Sequence, residues 1–566
     1  LTKTVDDGDD DLAFIQVGKP RKVKHVRSSA SDTSDNENGL AYRSIEGRMK
    51  AKTVPDTESD ADSDVEADIH QDNPLRWRSV QLNLQVKEHP ENIDAWLELV
   101  AHQDALLKAG HRIDQSLYED EAHSYAEIKL SMLEGAISNA KSKEDRKRIL
   151  SLLMREGAKV WDPKTAAKRW TELAEEERSG FDLWKINLDF RMSDVANFQY
   201  DDIKSLFLAR LKHLLTEGVA SDPKERFGEA VYVFLRMTRM IADAGYRELA
   251  FSAWQALFEL NLYCPPWQDG SNPSLGSFQE FWESEVPRFG EAGAQGWRHY
   301  VETNGTQDPA ETPVTTSAGG DEPISRDPYK LWAALEEKRG VQARTPARTL
   351  DEGNDEDPFR VVMFSDIEKM LFFIPPNILG QLEEQLIDAF LLSSGLPPAM
   401  QSSSWTQMAS QDPHIVGNAG ALRTRSSWGQ PLPEENEGFK RPPLFKGRTL
   451  ECALTLDLLF SGQDWFHYLP TREHDPMLPW EVVEQGLKQF VQLRDISGMA
   501  EYMLAVAYIR DPSNIKKQAK ALLKQYPTNI ALFIAYALAE HRNGKDEIAQ
   551  KTLTSAAQIS SVSQTK

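Results

Sequence analysis

The stretch HPENIDAWLELVAHQD at residues 89 to 104 returns near the other end of the chain as YPTNIALFIAYALAEH at 526 to 541. Pro527, Asn529, Ile530 and Phe533 fall where Pro90, Asn92, Ile93 and Trp96 fell. Pro and Asn start helices, and Trp96, Leu99, Val100 and Leu106 then recur at the spacing of one helix face. The same grammar runs through FDLWKINLDF (181–190), EAVYVFLRMTRMIADAG (229–245) and ELAFSAWQALFEL (248–260). Helices with smaller residues, such as KTAAKRWTELAEEE (164–177), answer them. A helical pair of this kind cannot bury its apolar face alone and must stack on the next pair. The pattern predicts an all-α fold, a helical-repeat solenoid in which the Trp or Phe one turn into each first helix fills the gap against its partner and Ala permits close approach. The 566 residues, 40% of them apolar, exceed what one compact core usually holds.

The grammar is interrupted. Residues 1–72 are rich in Asp, Glu and Ser and poor in large apolar side chains, which predicts a disordered acidic tail. Helical repeats are expected over 73–303 and 329–394, separated by a Pro, Thr and Gly-rich linker at 304–328. A long irregular loop is expected over 395–448, and further repeats over 449–566. Trp405 and Trp428 sit oddly in that polar loop and are expected to dock back onto the helices. Within the tail, Leu12, Phe14, Ile15 and Val17 form an apolar cluster of the kind that orders on a partner by strand addition or groove docking. Lys19, Arg21, Lys22 and Lys24 make a basic island that reads as a localisation signal. Ser34, Thr57, Ser59 and Ser63 each have an acidic residue three positions on, the pattern that acid-directed kinases recognise. The chain opens at Leu1 rather than Met, which leaves room for an upstream portion.

Motifs that carry chemistry are missing from the sequence. There is no Walker loop, no HExxH and no GxSxG. GEAGAQG (290–296) follows a helical pattern rather than a strand and is expected to be a helix turn, not a phosphate cradle. His102 and His111 lack metal-ligand spacing, and Glu283 and Glu285, two apart, fall on different helix faces. Cys264 and Cys452 form no CxxC pair, so neither a disulfide scaffold nor a zinc framework is expected, and the compartment reads as reducing. With no grouping of nucleophile, base and orienting residue, the expectation is a non-enzymatic protein without cofactor or metal. Apolar runs such as MLAVAYI (503–509) are shorter than the ~20 residues of a membrane helix, so a soluble chain with no membrane partner is expected.

The formal charge of −23 argues against a globally basic nucleic-acid surface. Two local patches stand apart from it. Lys516, Lys520 and Lys524 share one face of IKKQAKALLKQ, and KSKEDRKR (141–148) supplies a second cluster. Each either touches RNA backbone or is the solvent face of an amphipathic helix.

The helical pairs resemble the half-a-tetratricopeptide (HAT) repeat of RNA-processing proteins. The segment FQEFWESEVPRFGEAGAQGW, beginning at Phe278, is more specific. With YRSIEG (42–47), DPFRVVMFSDIEKMLFFIP (357–375), AFLLSSGLPP (389–398) and HDPMLPWEVVEQGLKQFV (474–491), it resembles the NRDE-type, nuclear-RNAi-defective family of HAT-repeat proteins from about Tyr42 onward. That resemblance implies a nuclear, non-enzymatic scaffold whose N-terminal region binds the RNA helicase of the nuclear exosome. It further implies roles in RNA surveillance, splicing fidelity, RNA-directed silencing and heterochromatin, and suppression of RNA:DNA hybrids. Splicing or other ribonucleoprotein factors are the remaining implied partners, with RNA reached mostly indirectly and the chain a monomer within a complex. A structural HAT subunit of a spliceosomal or mRNA 3′-end-processing assembly is the second reading. Family members usually carry more repeats than this chain.

Overall fold

The computed structural model describes residues 74–110, 115–174, 180–194, 197–216, 222–266, 275–306, 327–332, 345–349, 360–396, 398–399, 404–410, 412–416, 478–493 and 498–564. Contacts divide the chain into two compact units, 1–162 and 163–566.

The first unit is a local stack. Helices α1 (Pro74–Glu88), α2 (Ile93–Gly110), α3 (Gln115–Asn139) and α4 (Lys143–Val160) each pack on the one before. The Pro–Asn spacing does what it predicts: the Asn92 side chain accepts the Ala95 N–H at 3.3 Å, relieving one of the orphan donors at the start of α2. Trp96 donates its ring N–H to the Pro90 carbonyl at 3.1 Å and lies over Gly135 of α3, where a Cβ would come within 3.1 Å of the indole. Close approach here is given by glycine rather than the alanine expected. Lys129 is buried between Asp104, to which it donates, and Glu156 at 3.7 Å. At α4, Ser142 accepts the Glu144 N–H at 3.2 Å, and acidic Glu144 and Asp145 open a helix whose last turn carries Lys159, as the helix dipole favours.

The second unit begins with α5 (Pro163–Glu172), α6 (Phe181–Ser193), α7 (Tyr200–Leu215), α8 (Pro223–Asp243) and α9 (Arg247–Asn261). Then come α10 (Leu275–Glu283), α11 (Trp297–Glu302), α12 (Phe364–Ile367) with the 3₁₀ turn Glu368–Met370, and α13 (Pro376–Ser393). It continues with α14 (Ser404–Ser410), α15 (Pro413–Val416), α16 (Trp480–Leu493), α17 (Met499–Arg510), α18 (Ile515–Gln525), α19 (Ile530–Arg542) and α20 (Asp546–Gln564). Among the described residues there is no strand, only an isolated parallel bridge between Ala347 and Val361. The fold is all-α and helical-repeat, as the periodicity predicts.

Its centre is more than a local stack. Asp222 caps α8 and Pro223 opens it, and from Ala230 to Ala242 every residue is buried. A helix apolar all round must be enclosed. Accordingly α7, α9, α13 and α15 all pack against α8, with α13 returning from far along the sequence. Phe258 (α9), Phe289 (the loop after α10), Phe390 (α13) and Phe490 (α16) form an aromatic hub with ring centroids 4.6 to 5.9 Å apart. Asn261 pins the segment after the 3₁₀ turn, donating to the Phe372 carbonyl at 3.1 Å and accepting the Ile374 N–H at 2.8 Å. Toward the end local grammar returns: Asn529 accepts the Leu532 N–H at 3.0 Å and caps α19 as Asn92 caps α2.

One expectation is corrected. Residues 404–416, inside the stretch expected to be irregular, form α14 and α15, and Trp405 docks as anticipated, its indole N–H donating to the Gly228 carbonyl of α8 at 2.8 Å. GEAGAQG lies in the turn region between α10 and α11, as expected. Gly290, Gly293 and Gly296 each have positive φ, +80°, +81° and +88°, which lets the chain turn between α10 and α11. Trp428 lies outside the described residues.

Candidate functional site

The segment beginning at Phe278 completes α10 and then runs as a partly buried loop to α11, with residues 286–290 and 296–297 buried. Glu259, at the end of α9, accepts the N–H groups of Phe289 and Trp297, each at 2.8 Å. Burial pushes its carboxyl up to about 7, against the lowering effect of those two donors. Gln255 donates to the Phe289 carbonyl at 2.9 Å and to Glu291 at 3.0 Å, and Gln489 of α16 accepts the Gly290 N–H at 2.8 Å. Arg288 lies 3.6 Å from the centre of the Trp282 ring and donates to the Trp282 carbonyl at 2.5 Å. Burial and the neighbouring Arg348 bring this guanidinium down to about 9. A Cβ on Gly296 would meet the Tyr263 ring at 2.4 Å, so glycine there is a steric requirement. Glu259, Gln255, Gln489 and Arg288 thus each hold the loop through a backbone group. The arrangement locks α9, α10, α13 and α16 together rather than presenting an acid or base to solvent.

A second buried cluster clasps α14 and α15. Asp412 accepts from Tyr232 of α8, faces Arg236 at 3.4 Å and Lys185 of α6 at 3.5 Å, and accepts the His414 N–H at 2.9 Å. Arg236, fully buried, also donates to Asp189 of α6. Burial raises the Asp412 carboxyl, but Arg236 and Lys185 outweigh it and hold the group below the usual carboxylate value. Burial, then Arg236, brings His414 down. Thr406 donates to Asp388 of α13 at 3.0 Å. Sequence reasoning missed this clasp; its signal was Arg236 and Arg239 inside an otherwise apolar run.

Two outward-facing features of the described residues bear on function. A cleft of about 580 Å³ opens between α7, α9 and the 361–370 segment, lined by Leu208, Leu249, Val361 and Met370 with Lys204 and Tyr246 among its polar groups. On α18, Ile515, Ala519 and Leu522 are buried, and Lys516, Lys517, Lys520 and Lys524 are exposed on the other side. The structure thus brings the three predicted lysines to one face and adds Lys517. The 141–148 cluster differs: it opens on a cap and two carboxylates, and Arg148 is bound at 3.1 Å to Asp94 and 3.6 Å to Asp145. Glu283 and Glu285 part ways, Glu283 accepting from Gln279 at 2.8 Å and Glu285 from the Thr349 N–H at 2.8 Å. His102 bonds the Leu75 carbonyl at 2.8 Å. Among the described residues no three His, Cys, Asp or Glu side chains group as metal ligands, and no helix is long and apolar enough to cross a membrane. The predicted tail residues Leu12, Phe14, Ile15, Val17, Lys19, Arg21, Lys22, Lys24, Ser34, Thr57, Ser59 and Ser63 all lie outside the described residues.

Helices that stack on their sequence neighbours and are joined by buried polar loops define an all-α helical-repeat protein. The chain belongs to the NRDE-2 family, necessary for RNA interference, whose model matches residues 77–399. The Phe278, 357–375 and 389–398 blocks fall inside that match, and YRSIEG and the 474–491 block fall outside it. Among curated relatives, the NRDE2 homolog of Schizosaccharomyces pombe is 23% identical over 84% of this chain and 50% of its own length. The protein called nuclear exosome regulator NRDE2 in Homo sapiens is 28% identical over 70% of this chain and 35% of its own. Its Mus musculus counterpart is also 28% identical, over 57% of this chain and 29% of its own length. The chain therefore spans about half the length of these relatives or less. No solved structure matches it.

Proposed function

We propose that this chain is a non-enzymatic nuclear adaptor in RNA processing and surveillance. The observation that carries the reading is membership of the NRDE-2 family together with relatives named as nuclear exosome regulators. In this reading the Leu12, Phe14, Ile15 and Val17 cluster captures the exosome-associated RNA helicase, and the helical units hold splicing or other ribonucleoprotein factors. Lys19, Arg21, Lys22 and Lys24 address the chain to the nucleus, and phosphorylation at Ser34, Thr57, Ser59 or Ser63 adds charge beside the capture motif. RNA silencing and hybrid suppression then follow from which transcripts the helicase meets. Holding a short motif on a large folded body raises its effective concentration at any partner the body already grips.

The test is a binding titration of purified nuclear exosome helicase against the full chain and its Phe14→Ala/Ile15→Ala variant. Loss of two buried apolar anchors should weaken binding by roughly 2–4 kcal/mol, a thirtyfold effect or more. Unchanged affinity in the double variant would overturn the tail as the capture site.

A further inference from the structure

We propose that the exposed face of α18 is a contact strip for the phosphate backbone of nucleic acid, recognised through charge and not base sequence. This goes beyond the adaptor reading and does not rest on it. Three observations converge. The register of the helix is fixed, because Ile515, Ala519 and Leu522 are buried, so Lys516, Lys517, Lys520 and Lys524 have no alternative but to face outward. Their sequence neighbourhood is also poor in acid: between Asp511 and the buried Glu540 there are these four lysines and not one Asp or Glu, in a chain where acidic residues outnumber Lys and Arg by 88 to 65. Finally, the row is not arranged for the stability of its own helix. Lys524 in the last turn suits the dipole, but Lys516 and Lys517 stand in the positive first turn, and the nearest carboxylate in sequence, Asp511, is taken up by capping the preceding 3₁₀ turn at Ser513. Helix α4 is built the other way, with acids first and Lys159 last.

The same face says what kind of polyanion it takes. The other exposed residues of this helix are Ala521 and Gln525, and no aromatic or large aliphatic side chain is exposed on it. A protein partner needs a buried apolar or aromatic anchor to bind well. A phosphate backbone needs only cations at regular steps, which the i, i+4, i+8 row supplies over about 12 Å.

Fluorescence anisotropy of the full chain with a 20-nucleotide oligouridylate, between 50 and 200 mM salt, tests this. Reversing all four charges (K516E, K517E, K520E, K524E) should weaken binding about tenfold or more and flatten the log–log salt dependence by roughly 2–3, at about 0.7 per lost phosphate contact. Replacement of the four by Arg should keep both affinity and slope, and a K143E/K147E control on α4 should bind as wild type does. Because the side chains are exposed, circular dichroism and the melting temperature should stay unchanged. A thymidine oligomer binding equally supports a pure backbone contact, and weaker binding of it assigns the strip to RNA. The proposal fails if wild type does not bind, if the charge-reversed chain binds normally, or if polyglutamate of matched length competes as well as the oligonucleotide, which would give the strip to an acidic protein.

Discussion

Glu259 and Asp412 are both buried carboxyls, yet their surroundings push them in opposite directions. For Glu259 burial wins over two donated backbone N–H groups, and the value rises from 4.5 to about 7. The folded chain therefore binds the proton more tightly than the unfolded one. That contribution is fully present below 4.5 and is lost as pH rises through about 7. For Asp412 burial is outweighed by Arg236 and Lys185, so its contribution is present above the ordinary value of 3.8 and is lost as pH falls through the lower folded value. We predict that urea denaturation of Glu259→Gln shows a flatter stability profile from pH 4.5 to 7.5 than wild type, which loses up to about 3 kcal/mol over that range. The variant starts lower, by about 1–3 kcal/mol at acid pH, because an amide can accept only one of the two N–H groups. A variant with the wild-type slope would show that another group titrates.

At the scale of elements, α14 and α15 depend on contacts that no local pattern encodes. Trp405→Ala should cost about 3–5 kcal/mol and remove hydrogen-exchange protection from 404–416 first, because the indole is what joins α14 to the Gly228 carbonyl. Protection unchanged in that segment would mean that Asp412 holds it alone. This is also where the sequence was least legible. Helices α2 and α19 could be read from Pro and Asn because a cap is a local contact, and α8 from its unbroken apolar run. In α14 the deciding partners are Asp388 and Gly228, and in α15 they are Tyr232 and Arg236, all remote. Likewise three glycines close together mark the turn between α10 and α11, but the path of that turn is set by remote acceptors, Glu259 and Gln489. The lysines of α18 were legible as a row; which way they face was decided by Ile515, Ala519 and Leu522. The tail motif rested on composition alone, and its residues lie outside those described.

For the molecule as a whole, the two units differ in how their parts depend on one another. In the first, each helix leans on its sequence neighbour, the arrangement in which loss is gradual. In the second, the hub of Phe258, Phe289, Phe390 and Phe490 ties segments that are far apart in the chain. Phe390→Ala should cost about 3–5 kcal/mol and lower protection across α8, α9, α13 and α16 together. Loss confined to α13 would show that the hub does not couple them. There is also a consequence for biosynthesis. Phe258 leaves the ribosome long before Phe490 exists, and at about 5–20 residues per second the interval is roughly ten to fifty seconds. Through that time α8 can already pack on α7, α9 and then α13, but Phe258, Phe289 and Phe390 wait without the Phe490 ring that closes the hub, so a ribosome stalled before α16 leaves an aromatic core open on one side.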